Sequence, residues 1–300
     1  MENRIYDMLI VGGGPGGYTA ALYAARAGMT VLVLEKLAAG GQMGETPKID
    51  NYPGFPEGID GFTLGQTMKA QAEQFGAESR FAEVTKLSAA GEIKSAQTTD
   101  GVFYGKCLVI ATGAGPKTLG VPGEAELLGQ GVHYCAACDG MFYRGKTVVV
   151  VGGGNTAAAD ALLLSRVAKK VILVHRRDSL RASKVYHKPL QEAENIEFCW
   201  NSAVAQIRQG SILLQDGREI PCDGVFVAIG RQPATELVRG ILPLDEQGYI
   251  LAGESTETAV PGVFAVGDVR TTALRQIVTA VADGAAAVHS AEEYLTHAGK

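Results

Sequence analysis

Several features are scarce in this sequence of 300 residues, and each scarcity excludes a class of protein. Cysteine occurs five times and tryptophan once. Three of the cysteines, Cys107, Cys199 and Cys222, are scattered, so the chain is not a small secreted domain built on a disulfide framework. Basic residues do not outnumber acidic ones, with 27 Lys and Arg against 32 Asp and Glu and a net charge of −5. This balance argues against a nucleic-acid-binding surface.

Long hydrophobic runs are also missing. No apolar run approaches the ~18 residues that a membrane-spanning helix requires, and the N-terminal segment has no apolar core typical of a signal peptide. We therefore expect a cytoplasmic protein without a membrane segment. Hydrophobic residues make up 46% of the chain and charged residues 20%, as in ordinary globular proteins, and the length suffices for two domains with full cores.

Glycine, in contrast, is abundant, with 39 residues. The motif GGGPGG at residues 12–17 follows a short apolar strand at 8–11. An Ala-rich helix from about residue 18 to 27 and a second strand at 30–34 come next, and that strand leads to Glu35. This order of strand, glycine turn, helix, strand and acid is the dinucleotide-binding fingerprint. The glycines let the backbone approach a pyrophosphate, and Glu35 would bind a ribose, so the segment predicts a site for FAD or NAD.

The same fingerprint occurs a second time, with a strand at 147–151, a glycine turn at 152–154 and a second strand at 171–174. The spacing is conserved within the chain, since 35 − 12 and 175 − 152 both equal 23. At the position of Glu35 the second copy has His175-Arg176-Arg177, followed by Arg181. Guanidinium groups suit a ribose 2′-phosphate, so this copy predicts NADPH binding. The alternative is a solvated basic turn.

A pair of cysteines lies immediately before the second fingerprint, in Cys135-Ala-Ala-Cys138-Asp139. Two residues between cysteines allow a small disulfide that is easily reduced. A helix that begins at Cys135 would favour its thiolate, and Asp139 could transfer protons to and from the sulfur. The alternatives are two ordinary buried cysteines or half of a zinc site to which His133 adds a ligand. Structural zinc usually has four protein ligands and the chain has no second Cys pair, so redox chemistry is favoured and no metal is expected.

The order of elements predicts an α/β fold of two Rossmann-like domains, one inserted into the other. Breaks at Gly115-Pro116 and at residues 240–248 mark the boundaries. A late strand at 263–266 leads into Gly267-Asp268 and a helix from about 275 to 295. This strand must pair with a sheet. The sheet of the first domain, whose last preceding strand ends at Gly113, can accept it. We predict a discontinuous first domain of residues 1–114 and 243–300 and a second domain of residues 115–242 that carries the cysteine pair.

Taken together, the Cys-Ala-Ala-Cys-Asp motif, the two fingerprints, the basic cluster and the Gly-Asp strand closely resemble the bacterial low-molecular-weight thioredoxin reductases, in order and over essentially the whole chain. High-molecular-weight disulfide reductases instead carry a cysteine pair near Gly41-Gln42, where this chain has none. The resemblance implies a homodimer that passes electrons from NADPH through FAD to Cys135–Cys138, and from there to a thioredoxin-like protein. It makes Cys138 the flavin-side sulfur and Cys135 the attacking thiolate, with Asp139 moving protons.

The resemblance also implies the residues that hold each cofactor. For FAD they are Gly12, Gly14, Pro15, Gly17, Glu35, Lys36, Gly41, Gln42, Asn51, Ala111, Thr112, Gly113, Gly267, Asp268, Arg275 and Gln276. For NADPH they are Gly152, Gly154, Asn155, Thr156, His175, Arg176, Arg177, Arg181, Ile229 and Gly230. The chain departs from the family pattern at Ala137, at Ala282 and in a short meander after Asn201.

Three other functions remain open from the sequence. One is a related dithiol oxidase that passes electrons to oxygen, against which the intact basic cluster argues. Another is a reductase for a glutaredoxin-like or peroxidase-linked carrier. The most distant is a non-catalytic, redox-sensing flavoprotein, which retention of both cysteines, Asp139 and both nucleotide motifs makes a poor fit.

Overall fold

The computed structural model describes residues 4–46 and 48–298 of the chain, which divides into two compact units. The first unit combines Met1–Gly115 with Gln232–Lys300, and the second is Pro116–Arg231. The sequence placed the return to the first unit at residue 243, whereas the structure places it at Gln232. The reason is that Val238 and Leu242 are buried in the core of the first unit.

Seventeen strands are seen in the described residues. In chain order they are β1 (Ile5–Val11), β2 (Val31–Glu35), β3 (Glu78–Phe81), β4 (Val84–Ser88), β5 (Lys94–Thr98), β6 (Gly101–Ile110), β7 (Ala114–Pro116), β8 (Val132–His133), β9 (Thr147–Val151), β10 (Lys170–Val174), β11 (Ile196–Cys199), β12 (Val204–Arg208), β13 (Ser211–Leu214), β14 (Glu219–Pro221), β15 (Gly224–Val227), β16 (Arg231–Pro233) and β17 (Val263–Ala265).

The α-helices of the described chain are α1 (Pro15–Arg26), α2 (Gly61–Gln74), α3 (Ala136–Asp139), α4 (Asn155–Ser165), α5 (His187–Glu192) and α6 (Ile277–Ala298). Helix α1 begins three residues earlier than the sequence suggested, because Pro15 occupies its first position, where the missing N–H costs nothing. None of the helices in the described residues is long and apolar enough to cross a membrane.

The first unit is built on a seven-stranded sheet. Its parallel part has the order β3-β2-β1-β6-β17, and the meander β4–β5 pairs antiparallel with the N-terminal half of β6. The late strand β17 joins β6 beside Leu108–Ile110, as the sequence predicted. Strands β1 and β2 are almost wholly buried because helices cover one face and the 238–269 segment covers the other.

The second unit repeats this plan in a five-stranded parallel sheet of order β11-β10-β9-β15-β8. From their sequence alone, residues 196–221 are expected to form one short meander. In the structure β11 pairs parallel with β10 in the main sheet, and only β12–β14 form a separate three-stranded antiparallel sheet. Burial of Ile196 in the helix-side core accounts for the difference. The segments that join the two units, β7 and β16, pair as a two-stranded sheet.

Candidate active site

Cys135 and Cys138 form a disulfide at the start of the short helix α3, with Cα atoms 5.3 Å apart. Cys135 is the N-terminal cap of α3, and its sulfur accepts a hydrogen bond from the backbone N–H of Cys138 at 3.2 Å. Both cysteines are half-buried. The predicted helix start is therefore present, and a thiolate at Cys135 would lie beside an N–H donor that stabilises negative charge.

The carboxyl group of Asp139 lies next to Cys138 in sequence and is held by a buried histidine. Nδ1 of His133 is 3.0 Å from Oδ2 of Asp139, and Nε2 of the same ring is 2.7 Å from the hydroxyl of Tyr143. The ring also stacks on Phe226, with centroids 5.3 Å apart. His133 therefore has both ring nitrogens engaged, and the described residues contain no cluster that could hold a metal ion.

The other three cysteines take no part in the disulfide. Cys107 and Cys222 are buried, and burial raises the pKa of each thiol to about 12. They fill the hydrophobic cores of the first and the second unit, respectively. Cys199 is partly exposed and donates a hydrogen bond to Ser202. These three thiols are therefore poor candidates for a nucleophile.

The first glycine turn has the close packing that its motif requires. A Cβ on Gly12 would lie 2.3 Å from the oxygen of Ala111, and one on Gly17 would lie 2.0 Å from the oxygen of Gly12. Gly14, in contrast, faces open space and caps α1 without any side-chain hydrogen bond. Glu35 ends β2 and accepts a hydrogen bond of 2.5 Å from the N–H of Gly13. The backbone N–H groups in the first turn of α1 thus remain available to bind an anion. The carboxylate of Glu35 lies beside them, where it could bind a ribose hydroxyl.

Seven of the remaining predicted FAD residues of the first unit form three groups. One group adjoins the glycine turn: Gly40 donates to the oxygen of Gly13, so the segment of Gly41 and Gln42 passes beside the turn, and the Gln42 amide donates to the oxygen of Ala114. A second group, Ala111, Thr112 and Gly113, follows β6, where the Thr112 hydroxyl donates to the oxygen of Ala234 at 2.7 Å. The third is the contact between the Asn51 amide and Gln276, at 3.0 Å.

Near the start of α6, Gly267 donates its N–H to the buried carboxylate of Asp283, which is also bound by the Arg270 guanidinium. Asp268 follows directly and is half-buried. Arg275 stacks on the ring of Tyr249, 4.0 Å from its centroid.

Lys36 differs from the other predicted residues. Its ammonium group makes an exposed ion pair of 2.8 Å with Glu83, so its side chain is engaged at the surface.

The second glycine turn repeats the geometry of the first. A Cβ on Gly152 would lie 2.4 Å from the oxygen of Ala228, and Gly154 faces open space while capping α4. Asn155 begins the helix, and its side-chain oxygen accepts from the N–H of Ser183. Thr156 is exposed in the first turn. Ile229 and Gly230 follow β15, and the oxygen of Gly230 accepts from Lys117.

His175 occupies the place that Glu35 has in the first unit. Glu35 contacts Gly13, the middle residue of the first turn, and the His175 ring packs so closely on Gly153 that a Cβ there would lie 2.2 Å from it. Burial and the nearby arginines 181, 176 and 177 lower the pKa of His175, so the ring is neutral at pH 7. Its Nε2 is buried and has no hydrogen-bond partner among the described residues.

The positive charge at this turn therefore comes from Arg176, Arg177 and Arg181, all exposed. Within the described chain none of their guanidinium groups is ion-paired. Arg176 lines an open cleft of about 560 Å³ together with residues that follow β11 and residues of the β13–β14 hairpin. The backbone of Arg181 donates to the oxygen of Gly153, which fixes this arginine beside the turn.

The residues present fit a dinucleotide in each unit. Each turn has an open glycine at an uncapped helix N-terminus, which suits a pyrophosphate. The first has a carboxylate at the ribose position. The second has three exposed arginines there and an imidazole nitrogen that lacks a hydrogen-bond partner among the described residues. The charges match an unphosphorylated ribose in the first unit and a phosphorylated one in the second.

Comparison with known proteins agrees with this geometry. A family model described as pyridine nucleotide-disulphide oxidoreductase matches residues 6–284. A thioredoxin reductase of Listeria innocua is 42% identical over 304 residues, which cover 98% of this chain and 95% of the relative. The chain belongs to the thioredoxin reductases of this family.

Two further relatives extend the comparison. The crystal structure of thioredoxin reductase from Streptococcus pyogenes superposes with a TM-score of 0.92 at 41% identity and covers 99% of this chain and 100% of that one. A bifunctional thioredoxin reductase/thioredoxin of Mycobacterium leprae is 42% identical over 310 residues, which cover 99% of this chain and 68% of the relative.

Sequence reasoning missed two groups of this thioredoxin reductase. His133 was weighed only as a zinc ligand, and Tyr143 was not singled out, although both lie in the network with Asp139. The sequence gives only a weak signal for these contacts. His133 lies six positions before Asp139 and ten before Tyr143, and neither separation is a regular helix or strand spacing. The Tyr134 hydroxyl also contacts the buried Glu124, whose carboxylate binds the amides of Leu119 and Gly120.

Proposed function

We propose that this enzyme catalyses the NADPH-dependent reduction of the disulfide in a thioredoxin-like protein. The observation that carries the proposal is the Cys135–Cys138 disulfide at the start of α3, with Asp139 beside it, in the unit whose nucleotide turn is basic. The bifunctional relative, whose name joins thioredoxin reductase and thioredoxin, supports a thioredoxin-like partner. The FAD assignment is supported by the carboxylate of Glu35 and the NADPH assignment by the three arginines.

The chemistry that the two cofactors supply is hydride transfer from nicotinamide to flavin and two-electron reduction of the disulfide. The residues of the chain do the rest. The open glycine turns bind the two pyrophosphates, and Glu35 and the arginines select the ribose. Once the disulfide is reduced, Cys135 attacks the partner as a thiolate, Cys138 later attacks Cys135 to release it, and Asp139 moves protons between sulfur atoms.

We further propose a cytoplasmic homodimer, as the family resemblance implies. The measurement is the mass of the purified protein by light scattering. A mass near twice that of the 31.4 kDa chain is expected, and a monomeric mass at micromolar concentration would contradict the dimer.

The test of function is NADPH oxidation by the FAD-loaded protein, followed with oxidised thioredoxin, with oxidised glutaredoxin and with oxygen alone. Thioredoxin should accelerate the oxidation far above the oxygen rate. If glutaredoxin were the better substrate the partner class would be wrong, and an equal rate with oxygen alone would indicate an oxidase.

The cysteine roles are tested with Cys135→Ser and Cys138→Ser, with Cys199→Ser as the control. Both site variants should lose thioredoxin reduction and keep the bleaching of flavin absorbance by NADPH. Only Cys138→Ser should trap a mixed disulfide with thioredoxin, detected by mass spectrometry, because Cys135 remains to attack. Trapping by Cys135→Ser would reverse the assigned roles.

A further inference from the structure

Asp139 is held in a buried hydrogen-bonded chain that extends away from the disulfide. The chain runs from the Asp139 carboxylate to His133 and on to the hydroxyl of Tyr143, over contacts of 3.0 and 2.7 Å. His133 is 7% exposed and the side chain of Asp139 is 16% exposed. Phe226 stacks on one face of the imidazole, and Tyr143 meets it edge-on with centroids 5.2 Å apart. The ring is therefore fixed by packing as well as by hydrogen bonds.

The donors and acceptors of this chain are determined by Tyr143. Burial, the nearest carboxylates Asp139 and Asp223, and the Cys222 thiol raise the pKa of the Tyr143 hydroxyl, which therefore keeps its proton. A neutral His133 then accepts this proton at Nε2 and donates from Nδ1 to Asp139. The ammonium of Lys146 also borders this network, 5.3 Å from the Tyr143 ring centroid.

We infer that His133 is a positioning residue for the sulfur exchange, which holds the Asp139 carboxylate in place beside the cysteines by donating from Nδ1. The inference rests on the proposed function. It assigns a role within the reaction to a side chain that does not itself reach the sulfur atoms. Tyr143 sets the tautomer that makes this donation possible.

The proton and electron balance shows where the carboxylate is needed. In the reduced enzyme Asp139 takes the proton of Cys135, whose thiolate attacks the partner disulfide, so that one S–S bond forms as another breaks. The departing partner sulfur takes that proton. Cys138 then gives up its proton by the same route and attacks Cys135, which restores the enzyme disulfide and releases the second partner thiol. Two electrons and two protons leave the enzyme dithiol, and Asp139 must be ionised at the start of each transfer.

Loss of the Nδ1 donor should therefore appear as a change in pH dependence. In His133→Leu the carboxylate of Asp139 loses this hydrogen bond, so the acid limb of the exchange rate should move to higher pH. The ratio of variant to wild-type rate should be constant at alkaline pH and fall about 10- to 100-fold towards acid pH. A merely structural defect would lower the rate equally at every pH.

Conservative variants distinguish the effect of losing the Nδ1 hydrogen-bond donor from the effect of losing the imidazole ring. In His133→Asn the side-chain amide can place an N–H where Nδ1 lies, so this variant should restore most of the wild-type profile. Tyr143→Phe removes the hydroxyl that fixes the tautomer and should show a smaller displacement in the same direction. Tyr134→Phe is the matched control, since it loses a hydroxyl next to Cys135 that contacts Glu124 and not Asp139. Its profile should coincide with wild type.

The experiment measures reoxidation of the pre-reduced, FAD-loaded variants by oxidised thioredoxin from about pH 4.5 to 9, by stopped flow. Flavin content, unfolding temperature and flavin reduction by NADPH confirm that each variant is intact. The same pH series with bis(2-hydroxyethyl) disulfide, which reoxidises the pre-reduced enzyme and becomes two thiols, measures the sulfur exchange in the same direction without the partner protein. Failure with thioredoxin alone would therefore count against the proposed function. A pH-independent rate ratio for His133→Leu with this small disulfide, or a His133→Asn profile like that of His133→Leu, would overturn the role of His133.

Discussion

The preference of the enzyme for NADPH over NADH is expected to depend on the arginines that follow β10. The perturbation is the double variant Arg176→Ala/Arg177→Ala, made in the FAD-loaded protein. Both side chains are exposed, and within the described chain neither is ion-paired, so their removal breaks no internal contact that holds the fold. The matched control is Arg166→Ala, which removes an exposed arginine at the opposite end of α4.

The magnitude follows from the contact that each arginine can make with a 2′-phosphate. A hydrogen bond to a charged group contributes roughly 1.5–3 kcal/mol, and exposure to solvent and salt favours the lower value, so that each arginine contributes about tenfold. Two independent contacts would give about 100-fold, and adjacent residues can fall short of additivity. The neutral ring of His175 remains and supplies no compensating charge.

The assay is steady-state thioredoxin reduction with each nucleotide at low and high ionic strength. KM for NADPH should rise while kcat stays nearly constant, because the phosphate is bound alike in the ground and transition states. Kinetics with NADH should barely change, and the salt dependence of the NADPH kinetics should weaken in the double variant. Arg166→Ala should behave as wild type. Retention of a large NADPH preference by the double variant would refute the reasoning. The arginines would then form only a solvated basic turn that does not bind the 2′-phosphate.

Two further predictions concern stability. Asp283→Ala would leave the buried Arg270 guanidinium and the Gly267 N–H without their carboxylate, so we expect a loss of about 3–5 kcal/mol in denaturant unfolding and weaker FAD retention; an unchanged midpoint would contradict this. Burial raises the pKa of Asp160 to about 6, against the opposing effect of Arg231. Stability due to its neutral form is complete below the unfolded value near 4 and is lost as pH rises to about 6. Asp160→Asn should therefore be more stable than wild type by about 1–2 kcal/mol at pH 8, with no difference at pH 4 by thermal unfolding.

Much of the fold could be predicted because the local sequence patterns, apolar strands followed by glycines, occur where the tertiary packing requires a buried strand and a residue without a side chain. The buried strands β1 and β9 each run into a glycine turn whose packing leaves no room for a Cβ at Gly12 or Gly152. The return to the first unit was placed too late, because residues 232–242 contain only the end of β16 and a short 3₁₀ turn, and their burial depends on a core assembled from distant segments. The neutral state of His175 was equally inaccessible, since it results from packing on Gly153 and from three arginines that surround it.

The two units also show why the cysteine pair lies just before the second fingerprint. In each sheet the outermost strand beyond β6 or β15 is a short parallel one, β17 in the first unit and β8 in the second. Two residues beyond each strand end (267 − 265 and 135 − 133) the chain reaches Gly267 in one unit and Cys135 in the other. Carboxyl ends of parallel strands share one edge of a sheet, which is where nucleotides bind in such folds. The redox disulfide therefore occupies, in the second unit, the position at which the first unit presents Gly267-Asp268. Under the proposed function, this sheet edge would contact flavin in the first unit and carry the sulfur chemistry in the second.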